Sequence, residues 1–303
     1  MSKLLVVLFT SVLWAQQPES GTKTQAPTPA DASSPTPGQA EDLQALAKRV
    51  DTAHHPKGPS TPVTAFRGDF ELHLLDAAAE QRGQVDLAVQ FLEWTKPGET
   101  RARPLLRYEV QEAGKPIVRG RDRHGPWQLS RGKPEDLTGD LQRDLDECDR
   151  HTNLARQLLR FLTPADMLRS LQRASAVRDE PLNVERGVRI DCSTVEGDLA
   201  AFPLLQQGGD DAPVHVKVYV TKAEGRLLAI DAWPRVDDKV DPARGERILL
   251  LDMHERDGLL VPRELKHLFR DANGRLHLKS RAVMKTLSLR PELGADDFDR
   301  TRK

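Results

Sequence analysis

Apolar and polar side chains alternate with a period of two along many short stretches of this chain, and this pattern constrains the fold more than any other feature. From Phe66 to Leu75, apolar residues or glycine alternate with charged residues. The alternation returns over Gln84 to Trp94, Leu105 to Glu112 and Val214 to Val220. Successive side chains of a β-strand point to opposite faces of the sheet, so each stretch predicts a strand with one buried face.

Short turns separate these strands. Turn-forming residues stand at Lys96-Pro97-Gly98, Ala113-Gly114-Lys115, His124-Gly125-Pro126 and Ala223-Glu224-Gly225. Connections this short join antiparallel neighbours. We therefore predict an antiparallel sheet of about 10 or 11 strands, strongly curved or closed.

Helical spacing replaces the alternation in three places. Glu41 to Val50 predicts a short amphipathic helix, and Asp140 to Leu162 predicts a long one. A further helix is expected to begin at Thr163, because Pro164 suits the first helical position. Helices inserted between strand meanders usually cover one face of the sheet, so the predicted class is α+β.

The N-terminal region has a different composition. Residues 1–15 contain Lys3 followed by an apolar run, which is typical of a secretory signal peptide. Residues 16–40 are rich in Pro, Ser and Thr and predict a disordered linker. We expect residues 41–303 to form one domain of an exported chain whose mature form has no transmembrane segment.

Charge and cysteine content exclude some functions. The 45 basic and 46 acidic residues leave a net charge of −1, so no nucleic acid partner is expected. Cys148 and Cys192 could form a disulfide in an oxidising compartment, or both could be buried thiols. The pair His54-His55 with Asp51 does not predict a metal site, because adjacent side chains do not converge on one ion.

Several local motifs resemble the LolA-like family of periplasmic lipoprotein carriers. They are Trp94 to Gly98 after the second strand, Leu106 to Tyr108 in the third, Gly114 to Leu129 in the next hairpin, and Leu287 to Leu293 near the C-terminus, with Phe298 beyond. The resemblance implies an incomplete β-barrel with helices over its concave side and an apolar cavity for acyl chains. It also implies a periplasmic location.

The resemblance implies a set of site residues. Lys96 and Arg107 become candidates for gating or for binding a headgroup, although Lys96 stands where the classical carriers have arginine. Longer stretches at Arg131 to Leu141 and Pro234 to Gly245 indicate a divergent member with a different client. The cavity candidates are Phe70, Leu72, Leu87, Val89, Phe91, Tyr108, Val110, Leu145, Leu159, Leu162, Val216, Val218 and Ile230.

Three functions remain open at this stage. The first is a non-enzymatic binder or carrier of a lipid, a lipoprotein acyl chain or another apolar ligand, with no cofactor and no metal. The second is an envelope interaction or sensor module with a filled core, for which an envelope protein would be the partner. The third is an unrecognised hydrolase, although the sequence contains neither HExxH nor GxSxG.

Overall fold

The computed structural model describes residues 37–58, 63–75, 81–100, 102–112, 115–130, 132–137, 161–185, 187–199, 214–236, 239–271 and 273–300. The predicted signal peptide and most of the predicted linker lie outside these ranges. So do Leu145, Cys148 and Leu159, together with all but the end of the predicted helix Asp140 to Leu162. No described helix is long and apolar enough to cross a membrane.

Two helices and fourteen strands make up the described part of the chain. Helix α1 spans Pro37–His54 and helix α2 spans Pro164–Arg169, and two 3-10 turns occur at Pro242–Arg244 and Ala295–Phe298. The strands are β1 Ala65–Leu75, β2 Gln81–Thr95, β3 Ala102–Glu112, β4 Lys115–Arg121, β5 Pro126–Ser130, β6 Lys133–Asp136, β7 Arg178–Glu185, β8 Val188–Leu199, β9 Val214–Thr221, β10 Leu227–Val236, β11 Lys239–Val240, β12 Glu246–Arg256, β13 Leu259–Arg270 and β14 Leu276–Ser288.

The sheet consists of two antiparallel meanders joined edge to edge. Its strand order is β6-β5-β4-β3-β2-β1-β14-β13-β12-β10-β9-β8-β7, with β11 paired to β10. The first strand pairs with the last, from Arg67 opposite Ser288 to Leu74 opposite Ser280. The order ends at β6 and β7, so the sheet is open, and the prediction of an antiparallel sheet is confirmed.

The predicted number of about 10 or 11 strands was too low. The sequence analysis missed β6, β7 and β11: β6 is fully exposed, β7 is mostly polar and contains Pro181, and β11 has two residues. None of these strands has the apolar alternation on which the prediction depended.

The sheet is bent in its second meander. Strands β7 and β13 are separated by four strands, which corresponds to about 24 Å in a flat sheet. Nevertheless Lys266 Nζ of β13 lies 2.5 Å from Glu185 Oε1 at the end of β7. The β7–β8 hairpin therefore folds back over one face, which we call the outer face.

Helices α1 and α2 contact the opposite face, which we call the helix-bearing face. The apolar side of α1, with Leu46, Ala47 and Val50, packs in one cluster with Met167 and Leu168 of α2. These side chains cover the valine row of β9, formed by Val214, Val216, Val218 and Val220. Helix α2 begins at Pro164 as the sequence predicted, whereas α1 starts four residues earlier and ends four residues later than predicted. That this face is the concave side of the sheet stays a prediction.

Candidate ligand-binding face

The cavity candidates divide between two apolar clusters. Val216, Val218 and Ile230 belong to the cluster beneath α1 and α2, which we call the helix cluster. The other described candidates belong to a cluster on β1, β2, β3, β13 and β14, which we call the meander cluster. Within it Phe70, Leu72, Phe91, Tyr108, Val110 and Leu162 are buried, while Leu87 and Val89 are half-buried at its margin.

Two consecutive residues connect the clusters. Phe161 packs in the helix cluster, and its neighbour Leu162 packs in the meander cluster. Both are helical and precede α2 directly. Neighbouring helical side chains point about 100° apart, so one short segment contacts both apolar regions. A displacement of this segment would uncover parts of both clusters together.

The end of α1 is anchored by a buried histidine that lies four residues beyond the end of the predicted helix. His54 is the last residue of α1 and is fully buried. Its Nε2 accepts a hydrogen bond from the backbone N–H of Leu227 at 3.1 Å. Its Nδ1 lies 3.2 Å from the carbonyl oxygen of Leu260, to which only a protonated nitrogen can donate. His54 is therefore neutral, and it connects α1 to the first residues of β10 and β13.

A buried polar cluster interrupts the apolar helix-bearing face. Glu246 precedes Ile248 of the helix cluster by two residues, and His267 pairs with Ile248 across the sheet, so both side chains point to this face. His267 Nε2 is 2.7 Å from Glu246 Oε2, and Lys279 Nζ is 3.5 Å from Glu246 Oε1. Burial alone would raise the pKa of Glu246, but the contacts with His267 and Lys279 lower it.

Some polar atoms of this cluster have no partner. His267 Nδ1 and Ser280 Oγ are buried and form no hydrogen bond with any residue that the structure describes. Lys279 is only 7% exposed, and within the same residue ranges its one polar contact is the 3.5 Å approach to Glu246. Such atoms are uncommon in a packed interior, where buried polar groups are normally hydrogen-bonded. The sequence analysis missed these residues, because isolated His and Lys residues in strands normally face solvent.

The two gating candidates lie apart from both clusters. Lys96 is exposed in the turn after β2, 3.5 Å from Glu99. Arg107 stands between Leu106 and Tyr108 of the meander cluster, so its side chain points to the opposite face. There its guanidinium lies 5.9 Å from the centre of the Trp127 ring. The structure does not bring them together, and their role as gating or headgroup residues stays a prediction.

Cys192 is a buried free thiol on the outer side of the sheet. Burial raises its pKa to about 11, which makes the thiolate rare. Its possible disulfide partner Cys148 lies outside the described residues, so the disulfide and the two buried thiols both stay as alternatives. Among the residues that the structure describes, no group of three or more His, Cys, Asp or Glu side chains could hold a metal ion.

Neither a protein-family model nor a curated protein matches this chain. Solved structures do match. An outer membrane lipoprotein-sorting protein domain from Vibrio parahaemolyticus is 10% identical with a TM-score of 0.44, covering 86% of this chain and 97% of that one. A LolA superfamily protein from Nitrosomonas europaea is 12% identical with a TM-score of 0.38, covering 85% and 97%.

The complex of MucA and MucB from Pseudomonas aeruginosa also matches, with 8% identity and a TM-score of 0.25. That match covers 85% of this chain and 60% of the matched one. At these scores the comparisons carry no argument about function. The chain is thus similar, at low identity, to LolA-superfamily structures, as its sequence motifs predicted.

Proposed function

We propose that this chain is an exported, non-enzymatic binder or carrier of a lipid or of a lipoprotein acyl chain, acting in the periplasm. The ligand would occupy the helix-bearing face. Its apolar chain would lie against the meander cluster and the helix cluster, and its polar end would reach the cluster of Glu246, His267, Lys279 and Ser280. The segment Phe161–Leu162 would move to admit it.

The unpaired polar atoms of that cluster carry the proposal. If the helix-bearing face were a filled core, His267 Nδ1 and Ser280 Oγ would remain buried without partners, at a cost of about 1–3 kcal/mol each. A ligand oxygen beside Lys279 would satisfy them. This supports an amphiphilic ligand over a purely apolar one.

The apolar clusters supply the affinity in this proposal. Each methylene of an acyl chain that leaves water contributes about 0.8 kcal/mol. The side chains next to it would be the half-buried Leu87 and Val89, at the margin of the meander cluster. Because the hydrophobic effect is not directional, this surface would accept chains of several lengths.

Two measurements test the proposal. The first is native mass spectrometry of the full chain purified from its host, in which we expect a co-purifying lipid that organic extraction removes. The second is binding of a fluorescent fatty acid to Val89→Trp, which should narrow the site and weaken binding at least tenfold. Val240→Trp is the matched control, since Val240 is half-buried on β11 outside both clusters.

The alternative is a filled core with a protein partner. It predicts that Val89→Trp leaves dye binding unchanged while stability falls by an overpacking cost of about 1–3 kcal/mol. Absence of any lipid together with that result would exclude the carrier function. Lys279→Met then separates the contribution of the ligand's headgroup from that of its acyl chain. It should weaken binding of a fatty acid more than binding of the corresponding alcohol.

A further inference from the structure

A cavity lies on the outer face, away from the residues of the proposed lipid site. It has a volume of about 470 Å³ and lies beneath the β7–β8 hairpin. This volume falls in the range of about 300–1,000 Å³ that is typical of small-molecule sites. Its walls include Asn183 and Val184 from β7, Arg247 and Leu249 from β12, Leu268 from β13 and Leu276 from β14.

Two charged side chains line this cavity: Glu185, which pairs with Lys266, and Arg247, which shares its carboxylate partner with a second arginine. Arg247 donates to both carboxylate oxygens of Asp231, with Nη2 2.6 Å from Oδ2. Arg270 Nη2 donates to the same Oδ2 at 2.9 Å. Among the described residues these two guanidiniums therefore share one carboxylate. One positive charge remains without a counter-charge, at a position where Asp231 is 1% exposed.

The charged residues around the cavity do not compensate the excess positive charge of Arg247 and Arg270. At the rim, Lys266 pairs with Glu185 at 2.5 Å, and Arg281 pairs with Glu264 at 2.5 Å. Each of these ion pairs is neutral, so neither supplies a counter-charge for Arg247 and Arg270. A buried cation is costly unless an anion accompanies it.

Unused donors accompany the excess charge. Arg247 uses Nε and Nη2 for Asp231 and Tyr219, and its Nη1 forms no hydrogen bond with any described residue. Arg270 Nε is buried and also has no partner. A guanidinium carries five N–H donors and pairs well with carboxylate oxygens. Leucine side chains line the cavity beside it, so the surroundings suit an acid group attached to an apolar chain.

We propose that the cavity beneath the β7–β8 hairpin binds a small free carboxylic acid, with its carboxylate at Arg247 and its apolar chain against Leu249, Leu268 and Leu276. The site would be independent of the helix-bearing face, because none of its lining residues belongs to the helix cluster or the meander cluster. The proposal thus does not depend on the function proposed above.

Calorimetric titration of the full chain with decanoate tests this site, with decanol as the uncharged probe of equal chain length. We expect decanoate to bind and decanol to bind at least tenfold more weakly. Leu276→Phe should fill the cavity and weaken decanoate binding at least tenfold. All titrations are made in the Val89→Trp background, which narrows the helix-bearing face and removes its contribution to decanoate binding. Val240→Trp is the control in that background, because Val240 is half-buried on β11 outside the cavity, and it should leave this binding unchanged.

If Leu276→Phe does not fold, a variant that changes only the charge beside the cavity tests the same site. Arg270→Gln removes the excess charge but leaves the pair of Arg247 with Asp231, and it should also weaken decanoate binding at least tenfold. Equal binding of decanol and decanoate would overturn the proposal. So would undiminished decanoate binding in both Leu276→Phe and Arg270→Gln, since that result would place decanoate outside this cavity.

Discussion

His54, at the end of α1, accepts a hydrogen bond through Nε2 from the backbone N–H of Leu227, at the start of β10. The residues are 173 positions apart, and the contact is buried. It is made only by a neutral imidazole, because a protonated Nε2 would point a second hydrogen at the Leu227 N–H. The attachment of α1 to the sheet is therefore sensitive to acid.

We expect the free energy of unfolding to fall as the pH is lowered from about 6.5 towards 4. Burial, opposed by the hydrogen bond to Leu260, lowers the pKa of His54 from 6.5 to about 4. Nearby His55 and Arg226 lower it further, while Asp51 raises it. The unfolded chain thus binds a proton before the folded chain does, which removes up to about 3 kcal/mol of stability across this range.

His54→Gln separates this effect from other titrations, because glutamine can donate and accept hydrogen bonds but does not titrate. Urea unfolding at a series of pH values should show a shallower loss of stability between pH 6.5 and 4 in the variant. An identical slope in both proteins would assign the acid sensitivity to other groups.

Asp231→Asn should be among the most destabilising single changes in the described sheet. It removes the carboxylate that pairs with Arg247, Arg270 and the hydroxyl of Tyr219, and it leaves the buried Arg247 and the half-buried Arg270 without a counter-charge. We expect a loss of about 3–5 kcal/mol in the free energy of unfolding, measured with urea. The control is Asp191→Asn, which changes an exposed aspartate on β8 and should stay within about 0.5 kcal/mol.

Gly120→Ala should destabilise the first meander. A Cβ at this position would lie 2.4 Å from the carbonyl oxygen of Leu106 and 2.9 Å from the Trp127 ring. Because backbone and a buried indole cannot move aside freely, we expect a loss of about 1–3 kcal/mol in a thermal or urea melt. Gly294→Ala meets no atom closer than 3.9 Å and should have little effect. A similar loss in both variants would indicate a general cost of removing glycine.

The Cys192 thiol should resist alkylation while the protein is folded. It is fully buried, and its pKa is raised to about 11, so both access and thiolate formation are limited. Iodoacetamide should label it only in denaturant. Labelling in denaturant without a reductant also tests the possible disulfide. If two thiols are labelled, Cys192 and Cys148 are not bridged. If no thiol is labelled, they are.

Local patterns in the sequence determined most of the strands and both described helices. Alternation such as that of Phe66 to Leu75 depends only on neighbouring residues, and it identified β1, β2, β3 and β9. It also identified which side chains of a regular strand share a face, including those of the meander cluster. Strand β6, which it missed, has only exposed side chains and pairs with β5 at the edge of the sheet.

Only the tertiary structure decided where the polar groups of both candidate sites lie. The register shift between β13 and β14 changes the alternation at Lys279, so that Leu276 and Leu278 share a face with Leu268 while Ser280 shares the other with His267. Asp231, Arg247 and Arg270 meet because β10, β12 and β13 are neighbours in the sheet. Such placements depend on pairing between residues distant in the chain, which a local periodicity does not encode.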